Sequence, residues 1–219
     1  MTATRGRPPR LAAHLRRLVV IDAATRCFAE SGRSGTSVDE VAAAAGVRKP
    51  AIYELFGSKD DLYRACVAEA VDALRDNFRV VNAETTHLEL AERTRLRVTA
   101  AVDHALEHPH AFRLLSRAPV SWPTEDPEAG ARIRESLVEV MASNYRREST
   151  SDGRPLDTGA EVLARLFLVM TEEVVRLCLS EDTVDRAPLI DFLTELILTG
   201  ITGVQPKVWD ALERSRRGP

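Results

Sequence analysis

The sequence predicts an all-α protein, and three observations lead to that conclusion. Apolar residues recur every three or four positions along most of the 219 residues, which is the period of an α-helix. Hydrophobic residues make up 44% of the chain but aromatic residues only 5%, and alternating strand-like runs are scarce. Glycine and proline separate the periodic stretches. We expect about nine helices in two parts, residues 14–74 and residues 75–219.

The clearest pattern lies in residues 36–59, which read TSVDEVAAAAGVRKPAIYELFGSK. Ser37 and Glu40 have the spacing of a capping box at the start of one short helix. Gly46 supplies the left-handed residue that ends this helix. Pro50 falls in the first turn of a second short helix, where its missing N–H group costs nothing.

The second short helix has two different faces. Ile52, Leu55 and Phe56 are spaced to face inward, and the remaining positions face outward: Lys49, Ala51, Tyr53, Glu54. Ser58 and Asp61 then form a second capping box that begins the next helix. This order is typical of a helix-turn-helix motif, here residues 37–56, in which the second helix enters the major groove. The alternative is an ordinary helical hairpin.

A family resemblance favours the helix-turn-helix interpretation. It rests on residues spread over about 14–74: Ile21, Ala23, Ala24, Phe28, Ala29, Glu30, Gly32, Gly35, Thr36, Ser37, Val41, Ala42, Ala45, Gly46, Val47, Lys49, Ile52, Tyr53, Phe56, Ser58, Lys59, Leu62. These positions closely resemble the N-terminal signature of the tetracycline-repressor (TetR) family. The resemblance implies a three-helix DNA-binding domain and a larger helical domain that binds a ligand and forms a homodimer.

The same resemblance implies a function. It predicts a ligand-responsive transcriptional regulator, usually a repressor, that a small molecule releases from a palindromic operator. In that mechanism the ligand tilts the fourth helix and changes the separation of the two recognition helices of the dimer. The remaining two thirds of the chain diverge too far to identify the ligand.

Seven residues are predicted to contact DNA: Ser37, Arg48, Lys49, Pro50, Ala51, Tyr53, Lys59. Lysine can donate to guanine O6 and N7, and tyrosine can reach a phosphate or pack on a thymine methyl group. Lys59 and the backbone amides at the start of the next helix can bind one phosphate together. Arg48 stands where relatives often have a small capping residue. Glu54 either accepts from cytosine N4 or pairs with a neighbouring cation.

The charge distribution supports this assignment although the net charge is -3. Residues 1–64 contain 11 lysines and arginines against 7 acidic residues, whereas the other 155 residues contain 19 against 26. A basic N-terminal part on an acidic body is expected of a DNA-binding module joined to a domain with another role.

The other elements are predicted from periodicity and from glycine and proline positions. Residues 1–10 are expected to form a mobile arm whose arginines reach DNA, or simply a solvated tail. Helices are expected at the following positions: 14–31, 58–80, 88–107, 110–117, 127–148, 157–179, 188–204. Loops are expected near 119–130 and 149–156, and a polar tail is expected from residue 205.

Seven residues are candidates for the ligand pocket: Phe112, Trp122, Met141, Tyr145, Phe167, Met170, Glu173. Most are apolar, so the predicted effector is a hydrophobic small molecule. Aromatic and methionine side chains at helical spacing also occur as ordinary core, which is the alternative. Glu173 falls on an apolar face and needs a partner, either the ligand or Arg176.

The dimer interface is predicted on the helix at 188–204. Its apolar positions are Leu189, Leu193, Leu196, Ile197, Gly200, Val204. Together with the equally apolar helix before it, this helix could build a four-helix bundle with the partner subunit. The alternative is that the core of a single subunit buries it.

Other kinds of chemistry have little support in the sequence. Three separated cysteines do not form a disulfide or zinc pattern, and His104, His108 and His110 lack the other ligands of a metal site, so no metal or cofactor is predicted. Phosphate-loop and nucleophile-elbow motifs are absent. No apolar run is long enough for a membrane span, and no secretory core is seen, so we expect a cytoplasmic protein. A helical enzyme and an architectural DNA-binding protein remain as alternatives.

Overall fold

The computed structural model describes residues 9–121, 127–147, 156–180 and 185–215. Within these ranges the chain forms ten α-helices and no strand, which confirms the predicted all-α class. The helices are α1 (Pro9–Gly35), α2 (Val38–Ala45), α3 (Lys49–Phe56), α4 (Lys59–Glu84), α5 (Leu90–Glu107), α6 (Pro109–Ser121), α7 (Pro127–Arg147), α8 (Thr158–Ser180), α9 (Arg186–Gly203) and α10 (Pro206–Ser215).

The described helices differ from the predicted ones mainly at the two ends of the chain. The expected arm is helical from Pro9, because a proline is well placed in the first turn of a helix. Arg5 and Arg7 lie outside the described residues. A tenth helix, α10, occupies residues 206–215, where the sequence predicted a polar tail. Helix α6 continues through Pro119 to Ser121, beyond the predicted end at residue 117.

The chain forms two compact units. The first contains residues 1–70 and 110–121, and the second contains residues 71–109 and 122–219. Helix α4 begins in the first unit and ends in the second. The boundaries 14–74 and 75–219 stay a prediction, since compactness alone does not show that either part is an independent domain.

The core of the first unit forms where α1 packs against α2 and α2 against α3. Its fully buried side chains include Val20, Phe28, Val41, Ile52 and Leu62. The rings of Phe28 and Tyr63 meet edge to face with their centroids 5.1 Å apart. At the end of α1, Gly32 has a φ of 72°, and the Thr36 hydroxyl donates to the Gly32 carbonyl at 2.8 Å. This kink directs the chain into α2.

The second unit is a bundle in which α8 packs against α5, α7, α9 and α10. Phe167 of α8 is almost fully buried, and its ring meets that of Phe78 of α4 with centroids 6.3 Å apart. Gly159, near the start of α8, lies against the ring of Trp209 of α10. A Cβ atom at position 159 would approach that ring to 2.9 Å, so only glycine allows the two helices to pack this closely.

Candidate functional site

Helix α2 is fixed at both ends by the interactions that the sequence predicts. The Glu40 amide donates to Ser37 Oγ at 3.2 Å, and the Ser37 amide donates to the Glu40 carboxylate at 2.7 Å. Hydrogen bonds to its carboxylate from the Ser37 amide and side chain hold the pKa of Glu40 below its ordinary value. Gly46 has a φ of 65° and ends the helix in the left-handed region, with its amide directed at the Ala42 and Ala43 carbonyls. The turn that follows leads directly into α3.

Helix α3 presents one buried face and one exposed face. Ile52 and Phe56 are buried, whereas Lys49, Tyr53 and Glu54 are exposed. Arg48 occupies the N-cap position in an extended conformation and makes no side-chain capping bond, as expected for an arginine there. The predicted contact residues of α3 therefore lie on the side of the helix that faces away from the core of the unit.

Lys49 has a partner that the sequence did not predict. Its ammonium group lies 2.8 Å from the carboxylate of Asp39, in the first turn of α2, and this bond raises the pKa of Lys49. Both side chains are largely exposed. A spacing of ten residues across a turn gives no periodic signal, so only the arrangement of α2 and α3 reveals the pair.

The start of α4 is also ordered by hydrogen bonds. The Asp61 amide donates to Ser58 Oγ at 3.0 Å, which is the second predicted cap. Asp60 pairs with Arg33 from the end of α1 at 2.7 Å. Lys59, the predicted phosphate ligand, is half-buried in this first turn. Cations and free amides at a helix start can bind a phosphate together.

Helix α3 is also held by an arginine of α1. The guanidinium carbon of Arg17 lies 4.5 Å from the centroid of the Phe56 ring, which is a cation–π arrangement. This contact links α3 to α1.

The described candidate pocket residues belong to both compact units. Met141, Tyr145 and Phe167 are buried in the second unit, and Met170 is half-buried there. Phe112 is half-buried in the first unit, and Trp122 lies outside the described residues.

Glu173 is exposed and accepts a hydrogen bond from Arg176 three residues later, which is the alternative that the sequence allowed. The carboxylate therefore has a partner on its own helix. Assignment of all seven residues to a ligand pocket stays a prediction.

The predicted dimer residues of α9 divide between two faces. Leu193 and Ile197 are buried in the subunit's own core, Leu189 and Val204 are half-buried, and Leu196 and Gly200 are exposed. The structure adds three exposed apolar side chains that the sequence did not single out. They are Leu166 and Val169 on α8 and Phe192 on α9.

The histidines and cysteines remain poor candidates for a reactive site. His104 and His108 face each other with ring centroids 4.8 Å apart, and burial together with the neighbouring His108 lowers the pKa of His104. Among the described residues no three potential ligands cluster as a metal site would require. Burial raises the pKa of the Cys66 thiol to about 12, so this cysteine is unreactive at neutral pH.

A helix that crosses a membrane must be both long and apolar. In the described ranges no single helix is both long and apolar enough to do so. Only α9 and α10 together reach the required length and composition, as a pair bent by 87°.

Known proteins resemble this chain in both sequence and fold. The family model for bacterial regulatory proteins of the tetR family matches residues 20–66. The HTH-type transcriptional activator FasR of Mycolicibacterium smegmatis is 34% identical over 193 residues, which cover 86% of this chain and 84% of FasR.

Solved structures share the fold at lower identity. A putative fatty acid metabolism regulator of Clostridium perfringens has a TM-score of 0.69 at 24% identity, covering 84% of this chain and 98% of that one. The regulator AibR, solved with isovaleryl coenzyme A and operator DNA, has a TM-score of 0.63 at 19% identity, covering 83% and 97%. The identity to FasR over most of both chains, together with the family match, shows that this chain belongs to the tetR family of bacterial DNA-binding transcriptional regulators.

Proposed function

We propose that the protein is a homodimeric regulator that reads a palindromic operator with α3 and leaves it when the second unit binds a small-molecule effector with an apolar acyl part. The observation that carries the DNA-binding part is the rigid α2–α3 pair, in which Lys49 and Tyr53 are exposed opposite the buried Ile52 and Phe56. A helix held in this way can enter a major groove without first becoming ordered. We place this activity in the cytoplasm, where the DNA is.

The proposal of a homodimer is supported by the exposed faces of α8 and α9. Leu166 and Val169 are 51% and 57% exposed, and Phe192 and Leu196 are 66% and 48% exposed. Since α8 packs against α9, these side chains belong to neighbouring helices. Large apolar side chains grouped in this way mark an interaction surface. Two copies of the pair would bury them in a four-helix bundle.

A two-fold dimer determines the form of the operator. Each α3 reads one half-site, and the two half-sites are related by the symmetry of the dimer. Bound in this way, the protein blocks transcription where the operator overlaps a promoter. FasR is named an activator, so regulators of this family also bind where they assist transcription.

We propose that the effector carries an acyl chain. The described interior of the second unit contains Phe78, Met141, Tyr145 and Phe167, which provide apolar and adaptable surface. Two structural neighbours point to the same chemistry, one named as a putative fatty acid metabolism regulator and one bound to isovaleryl coenzyme A. An acyl coenzyme A thioester is therefore the effector class that we propose.

Selection of bound sequences from random DNA tests the DNA-binding part. The expected result is a short palindrome that Tyr53→Ala binds more weakly in a sequence-dependent way. Lys59→Ala should weaken all sequences alike and reduce the salt dependence by about one unit. Enrichment without a palindrome would instead indicate an architectural protein, and unchanged binding by both variants would exclude α3 as the reading helix.

Release of the selected operator tests the effector class. Acyl coenzyme A thioesters from isovaleryl to palmitoyl are added to the protein–operator complex, and dissociation is followed by fluorescence anisotropy. Part of this series should release the operator at micromolar concentration, whereas coenzyme A alone should not. If no thioester changes operator affinity, the proposed effector class is wrong and the DNA-binding part is unaffected.

A further inference from the structure

One buried hydroxyl group in the second unit has no hydrogen-bond partner. Thr171 of α8 is 7% exposed, and its buried Oγ1 has no hydrogen-bond partner. Other helical threonines donate to the carbonyl group four residues earlier, at 2.7–2.8 Å. They are Thr99, Thr194 and Thr202. The hydroxyl of Thr171 does not make this local bond.

The neighbouring helix offers a direct comparison. Thr194 of α9 is also 7% exposed, yet its hydroxyl donates to the Ile190 carbonyl at 2.7 Å. Burial on a helix of this unit therefore does not by itself leave a threonine unpaired. An unpaired buried hydroxyl destabilises a protein, and its presence in a native structure needs an explanation.

A second unpaired polar atom lies on α4. The side-chain oxygen of Asn77 is buried and has no hydrogen-bond partner. Asn77 precedes Phe78, and Thr171 follows Phe167 by one helical turn. The rings of Phe78 and Phe167 meet with centroids 6.3 Å apart, so Asn77 and Thr171 lie on stretches of α4 and α8 that approach each other in the second unit.

The two atoms have different hydrogen-bonding capacities. The Asn77 oxygen only accepts, so its partner must carry an N–H or O–H group. The Thr171 hydroxyl can donate to a carbonyl oxygen. An amide group has an N–H group for the Asn77 oxygen and a carbonyl oxygen for the Thr171 hydroxyl. An ionised carboxylate can only accept hydrogen bonds. The pantetheine arm of a coenzyme A thioester contains amide groups next to the acyl chain.

We propose that Thr171 and Asn77 are the polar contacts of the effector, and that they select an amide-bearing acyl thioester over a free fatty acid. This inference rests on the proposed function, because it assigns residues to the effector site of the second unit. The apolar side chains around Phe167 take the acyl chain, and the two polar groups receive the amide. Ligand-free protein leaves both groups unpaired and bound protein pairs them.

This assignment also connects the effector to the DNA-binding unit. Asn77 lies on α4, the helix that begins at Lys59 in the first unit. A ligand shifts a conformational equilibrium only through contacts that differ between the two states. A hydrogen bond to Asn77 provides such a contact on a helix that has residues in both units.

The ligand-free protein provides the first test. Thr171→Val keeps the shape of the side chain and removes the unpaired hydroxyl, so the apparent melting temperature should rise by about 2–4 °C. Thr194→Val is the matched control, because it removes a hydroxyl that is equally buried but paired, and its melting temperature should not rise. A fall for Thr171→Val would show that a water or another group already pairs this hydroxyl, and would overturn the proposal.

Binding of palmitoyl coenzyme A and of palmitate provides the second test. Thr171→Val should weaken binding of the thioester about five- to tenfold and leave binding of palmitate within about twofold. Thr171→Ser should restore thioester binding, and the control Thr194→Val should bind the thioester and the operator as the wild type does. If palmitoyl coenzyme A releases the wild type and Thr171→Val from the operator equally well, this inference is wrong and the proposed function stands. If palmitoyl coenzyme A does not release the wild type from the operator, the proposed effector class is wrong. The assignment of Thr171 to the effector site is then wrong as well.

Discussion

At the scale of single residues, the pair between Lys49 and Asp39 sets the charge of the DNA-facing surface. A lysine that contacts a base or a phosphate must exchange its present partner for the DNA. In the proposed complex the carboxylate of Asp39 also stays close to the DNA and repels its phosphates. Exposed ion pairs contribute little to folding, at most about 1 kcal/mol, so the main effect of this pair is on binding.

Replacing Asp39 should therefore strengthen DNA binding and reduce its selectivity. We expect Asp39→Asn to bind non-specific DNA more tightly and to increase the salt dependence of binding by about one unit, because one more cation is free to contact phosphate. The readout is affinity for operator and for random DNA across a range of salt concentrations.

Asp22→Asn is a matched control for this measurement. Asp22 pairs with Arg26 on α1 at 2.9 Å, and its side chain is 69% exposed compared with 70% for Asp39. The control should change the salt dependence less than Asp39→Asn does. An equal change in both variants would mean that overall charge, and not the Lys49 pair, is responsible.

Local residue roles were more predictable than roles that depend on two elements. The caps at Ser37 and Gly46 follow from short spacings, because a capping bond connects residues within one turn. The Asp39–Lys49 pair and the Arg17–Phe56 contact connect different helices, so no spacing in the chain indicates them.

At the scale of elements, α10 acts as the missing N-cap of α8. The carboxylate of Glu213 accepts hydrogen bonds from the amides of Asp157, Thr158 and Gly159 at 3.2, 3.0 and 2.8 Å. Burial raises the pKa of Glu213, but the donated amide bonds lower it by more, so the net direction is below the ordinary value. A negative charge at a helix N-terminus is further stabilised by the helix dipole.

This capping bond predicts a pH-dependent stability. A carboxylate whose pKa is lowered in the folded protein stabilises it fully above the ordinary value of 4.5, and that contribution is lost as the pH falls through the lowered pKa. Glu213→Gln should therefore reduce the free energy of unfolding by about 1 kcal/mol at neutral pH, which is typical for loss of a cap.

Denaturant unfolding of Glu213→Gln and wild type at several pH values measures this contribution. The difference between them should become smaller below pH 4.5. Glu69→Gln, at an exposed position on α4, is the control and should show neither effect. A difference that does not depend on pH would show that the charge of Glu213 is unimportant for the cap.

Helix α10 itself could not be predicted from its sequence. A helix of ten residues is marginal in isolation, and its stability here comes from packing of Trp209 against Gly159 and from the Glu213 bonds. Both interactions involve a segment about 50 residues earlier in the chain. The long helices α4 and α8, by contrast, have a strong apolar period and were predicted within a few residues of their ends.

At the scale of the whole molecule, the sequence shows that α9 is apolar but not which face turns outward. Apolar residues surround this helix, so Leu193 and Leu196 look equivalent in the chain. The structure separates them, with Leu193 2% and Leu196 48% exposed. The outward direction is set by the packing of α9 on α5 and α8, which depends on contacts between distant segments.

The proposed dimer interface on α8 and α9 can be tested by adding a charge to its exposed apolar face. Phe192→Glu and Leu196→Glu each place a carboxylate on the exposed apolar face. In the proposed dimer this charge would be buried against the second subunit without a cation to pair with it. We expect folded monomers by sedimentation, with helical content unchanged because both positions are exposed in the subunit. Affinity for the full palindrome should fall strongly, since a monomer contacts only one half-site.

Val80→Glu distinguishes this effect from the general effect of a new surface charge. Val80 of α4 is 54% exposed, close to the value for Leu196, but it lies outside the α8–α9 face. This control should remain dimeric and bind the palindrome as the wild type does. A wild type that is monomeric at micromolar concentration, or a dimeric Phe192→Glu, would place the dimer interface elsewhere on the molecule.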